Sequence, residues 1–222
     1  MPLELTLTFP EAVVFLARDA VAVARSLGRR VLYGIAGGPG VGKSTMAAAV
    51  ARALNDGHAE SAVVVPMDGF HMRHAKLEAL DLARFKGAPQ TFEAAAFAAF
   101  LATSKTARGS VRGPGYSRKI EDVVDDMIAI PAGAHVLLVE GNYLLLSDGA
   151  WPKVGAALDR RIFLDVPRLL VRERLLKRHA AEGLFTAERN LRHVEGVDLP
   201  NYDLVTASRG TAEVVITVDT RE

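Results

Sequence analysis

The sequence predicts an α/β protein, one parallel sheet with helices wound over both faces. Short, almost unbroken apolar runs recur at 31–36, 62–66, 136–139, 161–164 and 214–218, the pattern of strands buried on both faces. Segments with apolar residues at helical spacing lie between them. These connections are long enough for the right-handed crossovers that parallel strands require. With 222 residues, half of them hydrophobic, residues 1–222 can bury a core of this kind as one domain.

Taken in order, Val13, Val14, Leu16, Ala17, Val21 and Ala24 place a helix over 11–27, after Pro10. The 31–36 strand runs into a glycine-rich loop and then an alanine-rich helix over about 43–55, which Asn55-Asp56-Gly57 is expected to end in a left-handed cap. After the 62–66 strand, residues 70–130 read as an insert. It has helical stretches near 74–84 and 92–103 and a Gly/Pro-punctuated segment at 109–117. A charged helix over about 167–182 follows the 161–164 strand, with Leu169, Leu170, Leu175 and Leu176 packing down. Gly183 after it serves as a hinge or as a cap, which makes 167–185 a candidate lid.

The loop itself, Gly37-Gly38-Pro39-Gly40-Val41-Gly42-Lys43-Ser44-Thr45, fits G-x-x-x-x-G-K-[ST] between a strand and a helix, the context in which that pattern is a phosphate-binding P-loop. Its glycines let backbone N–H groups converge on phosphate oxygens, and the helix dipole adds positive potential. Lys43 would sit on the β- and γ-phosphates, and the Ser44 hydroxyl would enter a Mg²⁺ shell. The fold class is therefore a P-loop NTPase, a three-layer α/β/α sandwich on five parallel strands, and the ligand a nucleoside triphosphate.

In an open parallel sheet, ligands bind beyond the carboxyl ends of the strands. Asp68, Glu140 and Asp165 follow three of the strands as the P-loop follows the first, so all are expected at one edge. Asp68 is placed to accept a hydroxyl proton, with Gly69 allowing close approach of a substrate. Glu140 stands where an acid serving Mg²⁺ would sit. On the charged helix Arg174 and Arg178 share a face and could supply guanidinium groups to a transferring phosphoryl. In the insert, Tyr116 can stack or donate a hydrogen bond, and Lys86 or Arg118 can hold an anionic or polyhydroxylated group. His71 could contact substrate, and Ala207-Ser208-Arg209-Gly210 could flank a purine by position.

A net charge of +1 provides no field to recruit nucleic acid or an anionic membrane. The absence of cysteine excludes disulfides, thiolate metal sites and cysteine nucleophiles. No apolar run reaches the roughly 18 residues of a membrane span, and Met1-Pro2-Leu3-Glu4 lacks a basic n-region. The expected location is the cytoplasm. The sequence does not decide between a monomer and a homodimer. Two functional classes fit a P-loop with these acids, a small-molecule kinase and a regulatory NTPase switch. Asp68 and Tyr116 favour a second pocket, hence the kinase.

The ordered set Gly37–Thr45, Met67-Asp68-Gly69-Phe70-His71, Lys86-Gly87-Ala88-Pro89-x-Thr91-Phe92, Pro114-x-Tyr116-Ser117-Arg118 and Glu140-Gly141-Asn142-Tyr143-Leu144 resembles the phosphoribulokinase/uridine kinase family of P-loop kinases, to which the bacterial-type pantothenate kinases are related. It is most similar to a bacterial branch of nucleoside or sugar-transport-associated kinases. The resemblance spans about residues 30–180 and implies sheet order 2-3-1-4-5 in the numbering of the five predicted strands. It implies transfer of the γ-phosphate of ATP, with Mg²⁺, to a hydroxyl of a small molecule. Asp68 would be the base, Glu140 the Mg²⁺-site acid, Tyr116 part of the acceptor pocket, and Arg174 and Arg178 phosphate contacts. The expected acceptor residues are His71, Arg84, Lys86, Tyr116, Arg118 and Asn142. A nucleoside-like acceptor is favoured, with pantothenate or a sugar as alternatives.

Overall fold

The structure, a computed structural model, describes residues 1–57, 61–183 and 186–219. The elements are β1 (Leu3–Thr8), α1 (Phe9–Leu27), β2 (Val31–Ala36), α2 (Lys43–Asp56), β3 (Ala62–Pro66), α3 (His74–Ala79), α4 (Ala94–Thr106), β4 (Val111–Ser117), β5 (Asp122–Ile130), β6 (Val136–Gly141), α5 (Trp151–Ala157), β7 (Arg160–Asp165), α6 (Arg168–Glu182), α7 (Ala187–His193), α8 (Leu199–Thr206) and β8 (Val214–Asp219). Six strands form one parallel sheet in the order β1-β8-β7-β2-β6-β3.

The sheet divides two cores by the alternation of its side chains. Val31, Tyr33 and Ile35 of β2, Val136 and Leu138 of β6, and Ile162 and Leu164 of β7 join the core that also holds the buried faces of α1 and α2. The intervening Leu32, Leu137, Val139 and Phe163 join the opposite core, with Phe97 and Leu101 of α4 and Trp151 and Val154 of α5. Strands buried on both faces have no polar side to show in the sequence. The three-layer sandwich predicted from those runs is the one observed.

The strand count is corrected from five to six. The five expected strands lie in the implied order, and β1 adds an edge beside β8, with Leu3 opposite Val214 and Thr8 opposite Asp219. Its Leu-Glu-Leu-Thr-Leu-Thr sequence alternates and is only half covered, so it lacks the continuous apolar run used to find the others. Thr8 then caps α1, and the Glu11 carboxylate accepts from the Thr8 backbone N–H at 2.9 Å.

Other expectations also shift. Gly57 ends α2 with φ −77°, not left-handed; the left-handed cap sits at Gly28, after α1. The helix expected at 74–84 stops at Ala79, and that at 92–103 runs Ala94–Thr106. The punctuated 109–117 segment is a strand, β4, paired antiparallel with β5. The register shift between Gly113 and Gly115 accommodates Pro114, which cannot donate to a regular ladder. On α6, Leu175 is buried while Leu169 is 75% exposed. Gly183 has φ 66° and caps α6. Among the described residues, no helix is long and apolar enough to cross a membrane.

Candidate active site

Strand register brings the chemistry together. Glu140 lies opposite Ile35 of β2 and Pro66 of β3, at one level of the sheet. The P-loop therefore starts two residues beyond Ile35, and Asp68 sits two residues beyond Pro66, on either side of Glu140. In the loop, Gly40 (φ 75°) and Gly42 (φ 97°) adopt left-handed conformations that a side chain would resist. A Cβ on Gly38 would also stand 2.6 Å from the Tyr202 ring. Lys43 is 8% exposed, and its Nζ donates to the Gly38 carbonyl at 2.8 Å.

The Ser44 hydroxyl donates to Glu140 Oε1 at 3.0 Å. Glu140 is 5% exposed, and burial holds its carboxyl above the usual carboxylate range, with Lys43 pulling the other way and the Asp68 charge adding to the rise. Burial also lowers the Lys43 ammonium to about 8, while Glu140 and Asp68 oppose that. A serine hydroxyl and a carboxylate side by side next to a buried ammonium form a hard oxygen donor set that suits Mg²⁺ bound with a polyphosphate.

A cavity of about 420 Å³ runs from the P-loop to the insert. It collects Pro39, Gly40, Gly42, Lys43, Ser44 and Thr45 with Asp68 and Glu140, and it also reaches His71, Lys86, Arg118 and Asn142. Arg174 and Arg178 of α6 line it from the other side, and the Arg174 guanidinium also contacts the Val41 carbonyl at 3.5 Å. Gly37, Gly38 and Val41 shape the loop from behind. A Cβ on Gly37 would lie 2.7 Å from the Leu164 carbonyl oxygen.

Some expected residues fall elsewhere. Arg84 points outward, 3.6 Å from Asp81 and over the Phe85 ring. Tyr116 supports the wall instead of lining the cavity. Its ring lies 5.0 Å from that of His71, its hydroxyl donates to Glu121 at 3.0 Å, and Lys86 Nζ sits 5.3 Å from its ring centre. Asp165 is outside the cavity and pairs with Arg209 at 3.2 Å. Arg209 in turn reaches Glu4. The smallness of Gly69 serves the protein itself, since a Cβ there would meet the Pro114 carbonyl oxygen at 2.2 Å. It is the β4–β5 hairpin that approaches, not a substrate.

Sequence reasoning missed part of the wall. Phe92 stacks on His71 at 3.9 Å between ring centres, and the Tyr143 hydroxyl fastens the Gly87 carbonyl at 2.5 Å. His193, Val197, Asp198 and Asn201 also line the cavity. The spacing of four from His193 to Asn201 is a helical stripe, but nothing local ties it to a P-loop more than 140 residues away. A second cavity of about 470 Å³ lies on the far side of the loop, lined by Thr8, Phe9, Pro10, Gly40, Thr45 and Val218 among others.

A phosphate loop that shares one cavity with a second, acid-bearing compartment places the chain among P-loop kinases. No family model matches it. A Schizosaccharomyces pombe protein provisionally named a uridine kinase is 33% identical over 195 residues, covering 85% of this chain and 83% of that protein. A pantothenate kinase of Rhodopseudomonas palustris is 32% identical over 157 residues, 68% of this chain but only 49% of that enzyme. Among solved structures, a protein from Silicibacter sp. TM1040 described as a fructose transport system kinase superposes with TM-score 0.78 at 29% identity, over 90% of this chain and 98% of that one. The chain belongs to the phosphoribulokinase/uridine kinase family of P-loop kinases, enzymes that phosphorylate hydroxyl groups of small molecules.

Proposed function

We propose that this kinase uses ATP with Mg²⁺ and phosphorylates a hydroxyl of a nucleoside-like acceptor, with Asp68 as general base. The observation that carries the acceptor side is His71. Its ring lines the cavity beside Asp68, and its buried Nδ1 has no hydrogen-bond partner among the described residues. Burial holds the imidazole down to about 4, against the pull of Asp68. At neutral pH it is therefore an uncharged hydrogen-bonding group, and an orphaned one is costly unless a ligand meets it. A polyhydroxylated acceptor would satisfy it and present a hydroxyl to Asp68.

In this reading the P-loop N–H groups and Lys43 hold the triphosphate, and the apolar second cavity beside Phe9, Pro10 and Val218 takes the nucleobase. Bound Mg²⁺, held through Ser44 and Glu140, would supply charge neutralisation at the phosphates. Arg174 and Arg178 approach the same phosphates from α6, which acts as a lid. Asp68 accepts the proton as the acceptor oxygen attacks in line, and most of the acceleration comes from this positioning and electrostatics. Phe92 and Tyr116 hold His71 in place, and Asn142 lines the acceptor side.

Lys86 and Arg118 in the same cavity favour a second reading, an acceptor that also carries a carboxylate, as pantothenate does. Mg²⁺-dependent ADP formation measured with uridine, cytidine, other nucleosides, pantothenate and common sugars separates the two. Stimulation by a nucleoside supports the first reading, and stimulation by pantothenate alone replaces it with the second. ATP hydrolysis that ignores every acceptor argues against both and for a nucleotide switch.

A further inference from the structure

Beyond the phosphotransfer site, we propose that His179, His193 and Asp198 form a binding site for one divalent transition-metal ion of the zinc class, tying α6 to the segment joining α7 and α8. One nitrogen from each imidazole and one carboxylate oxygen lie within 4.8 Å of one another. His179 Nε2 is 2.9 Å from Asp198 Oδ2, and the two imidazole rings stand 5.4 Å apart, edge to face at 83°. His179 and Asp198 are largely buried, with side-chain exposures of 16% and 12%, whereas His193 is exposed at the end of α7.

The local backbone accounts for the convergence. His193 and Asp198 are five residues apart, which in an α-helix would splay them onto different faces. Here Val194–Asp198 is a π-turn, in which the Leu199 N–H reaches the Val194 carbonyl five residues back. This wider turn sets residues five apart on one face, and such insertions cluster at functional sites.

Two imidazoles and a carboxylate are a donor set used at zinc sites that keep a fourth position open. Imidazole nitrogen selects zinc-class ions over Mg²⁺, which prefers six oxygens. The ion would take the place of the hydrogen between His179 and Asp198. Bonds of about 2.0–2.2 Å need donors about 3.4 Å apart in a tetrahedron, so the 2.9 Å His179–Asp198 pair must open slightly and any longer gap to His193, up to 4.8 Å, must close. The exposed His193 ring is the one able to move. His193 and Asp198 also border the phosphotransfer cavity, so the clamp would fix the helix that carries Arg174 and Arg178.

The test is calorimetric titration of the full chain with Zn²⁺ in excess Mg²⁺, comparing wild type with His193→Ala and His179→Gln, each checked for folding by circular dichroism. Co²⁺ titration of the same proteins reads the ligand field. Wild type is expected to bind one equivalent with Kd of about 10 µM or tighter, a free energy near −7 kcal/mol. Each variant should weaken that by more than about 10-fold and lose the visible Co²⁺ absorption of a four-coordinate site. If His193→Ala folds poorly, His179→Gln carries the comparison. Absence of binding at 100 µM, roughly 10-fold above that Kd, overturns the proposal. Equal binding by the variants also overturns it, because the ion then sits elsewhere.

Discussion

Ser44 and Glu140 are 96 residues apart in sequence, yet the serine hydroxyl donates to the Glu140 carboxylate at 3.0 Å across the carboxyl edge of the sheet. The parallel pairing of β2 with β6 creates that contact, because the helix carrying Ser44 starts from the loop that β2 feeds. A carboxylate this deeply buried is costly unless cations face it. Lys43 and Arg118 supply such charge, and the proposed Mg²⁺ would add to it.

Glu140→Gln should therefore separate charge from shape. The amide oxygen can still accept from Ser44, so the melting temperature should not fall, while apparent Mg²⁺ affinity should weaken about 10–100-fold. The Mg²⁺ dependence of ADP formation measures this. An unchanged dependence would remove Glu140 from the metal site.

Lys43 sets a pH limit. Burial lowers its ammonium to about 8, so the free enzyme holds the charge below that pH and loses it as pH rises through it. kcat/KM for MgATP should fall above about pH 8, whereas kcat at saturating MgATP should stay flatter, because bound phosphates favour the charged form. A kcat/KM profile that stays level to pH 9.5, well past about 8, would mean that Lys43 stays charged or does not bind phosphate.

The arginines of α6 are separable by position. Arg178 lines the cavity, while Arg172 is held on the outside by Glu195. Arg178→Ala should lower kcat about 10²–10³-fold, and Arg172→Ala should stay within about twofold, as loss of an exposed ion pair allows. Equal losses would indicate that α6 contributes by packing alone.

The legible parts of this protein were those coded locally. The loop from Gly37 to Thr45, the continuous apolar strands and the strand-end acids each depend on neighbours in sequence, so the sheet, the P-loop and the meeting of Asp68 with Glu140 could be read directly. β1 escaped because an edge strand has one open face, and β5 because Asp122–Ile130 mixes charges with apolar residues on an exposed hairpin. From sequence, Gly69 suggests room for substrate, because a sequence cannot show that Pro114 presses on it from 45 residues away. The same limit placed Arg84 in a cavity it does not reach and hid the His193–Asn201 wall, which only the packing of α7 and α8 brings to the P-loop.

The most direct test of phosphotransfer with Asp68 as base is a single-turnover measurement on Asp68→Asn, using the acceptor identified by the panel, with nucleotide affinity measured on the same protein. The expected result is transfer slowed about 10²–10⁴-fold with nucleotide Kd unchanged within about twofold. Transfer at the wild-type rate, or a loss explained wholly by weaker nucleotide binding, would contradict it.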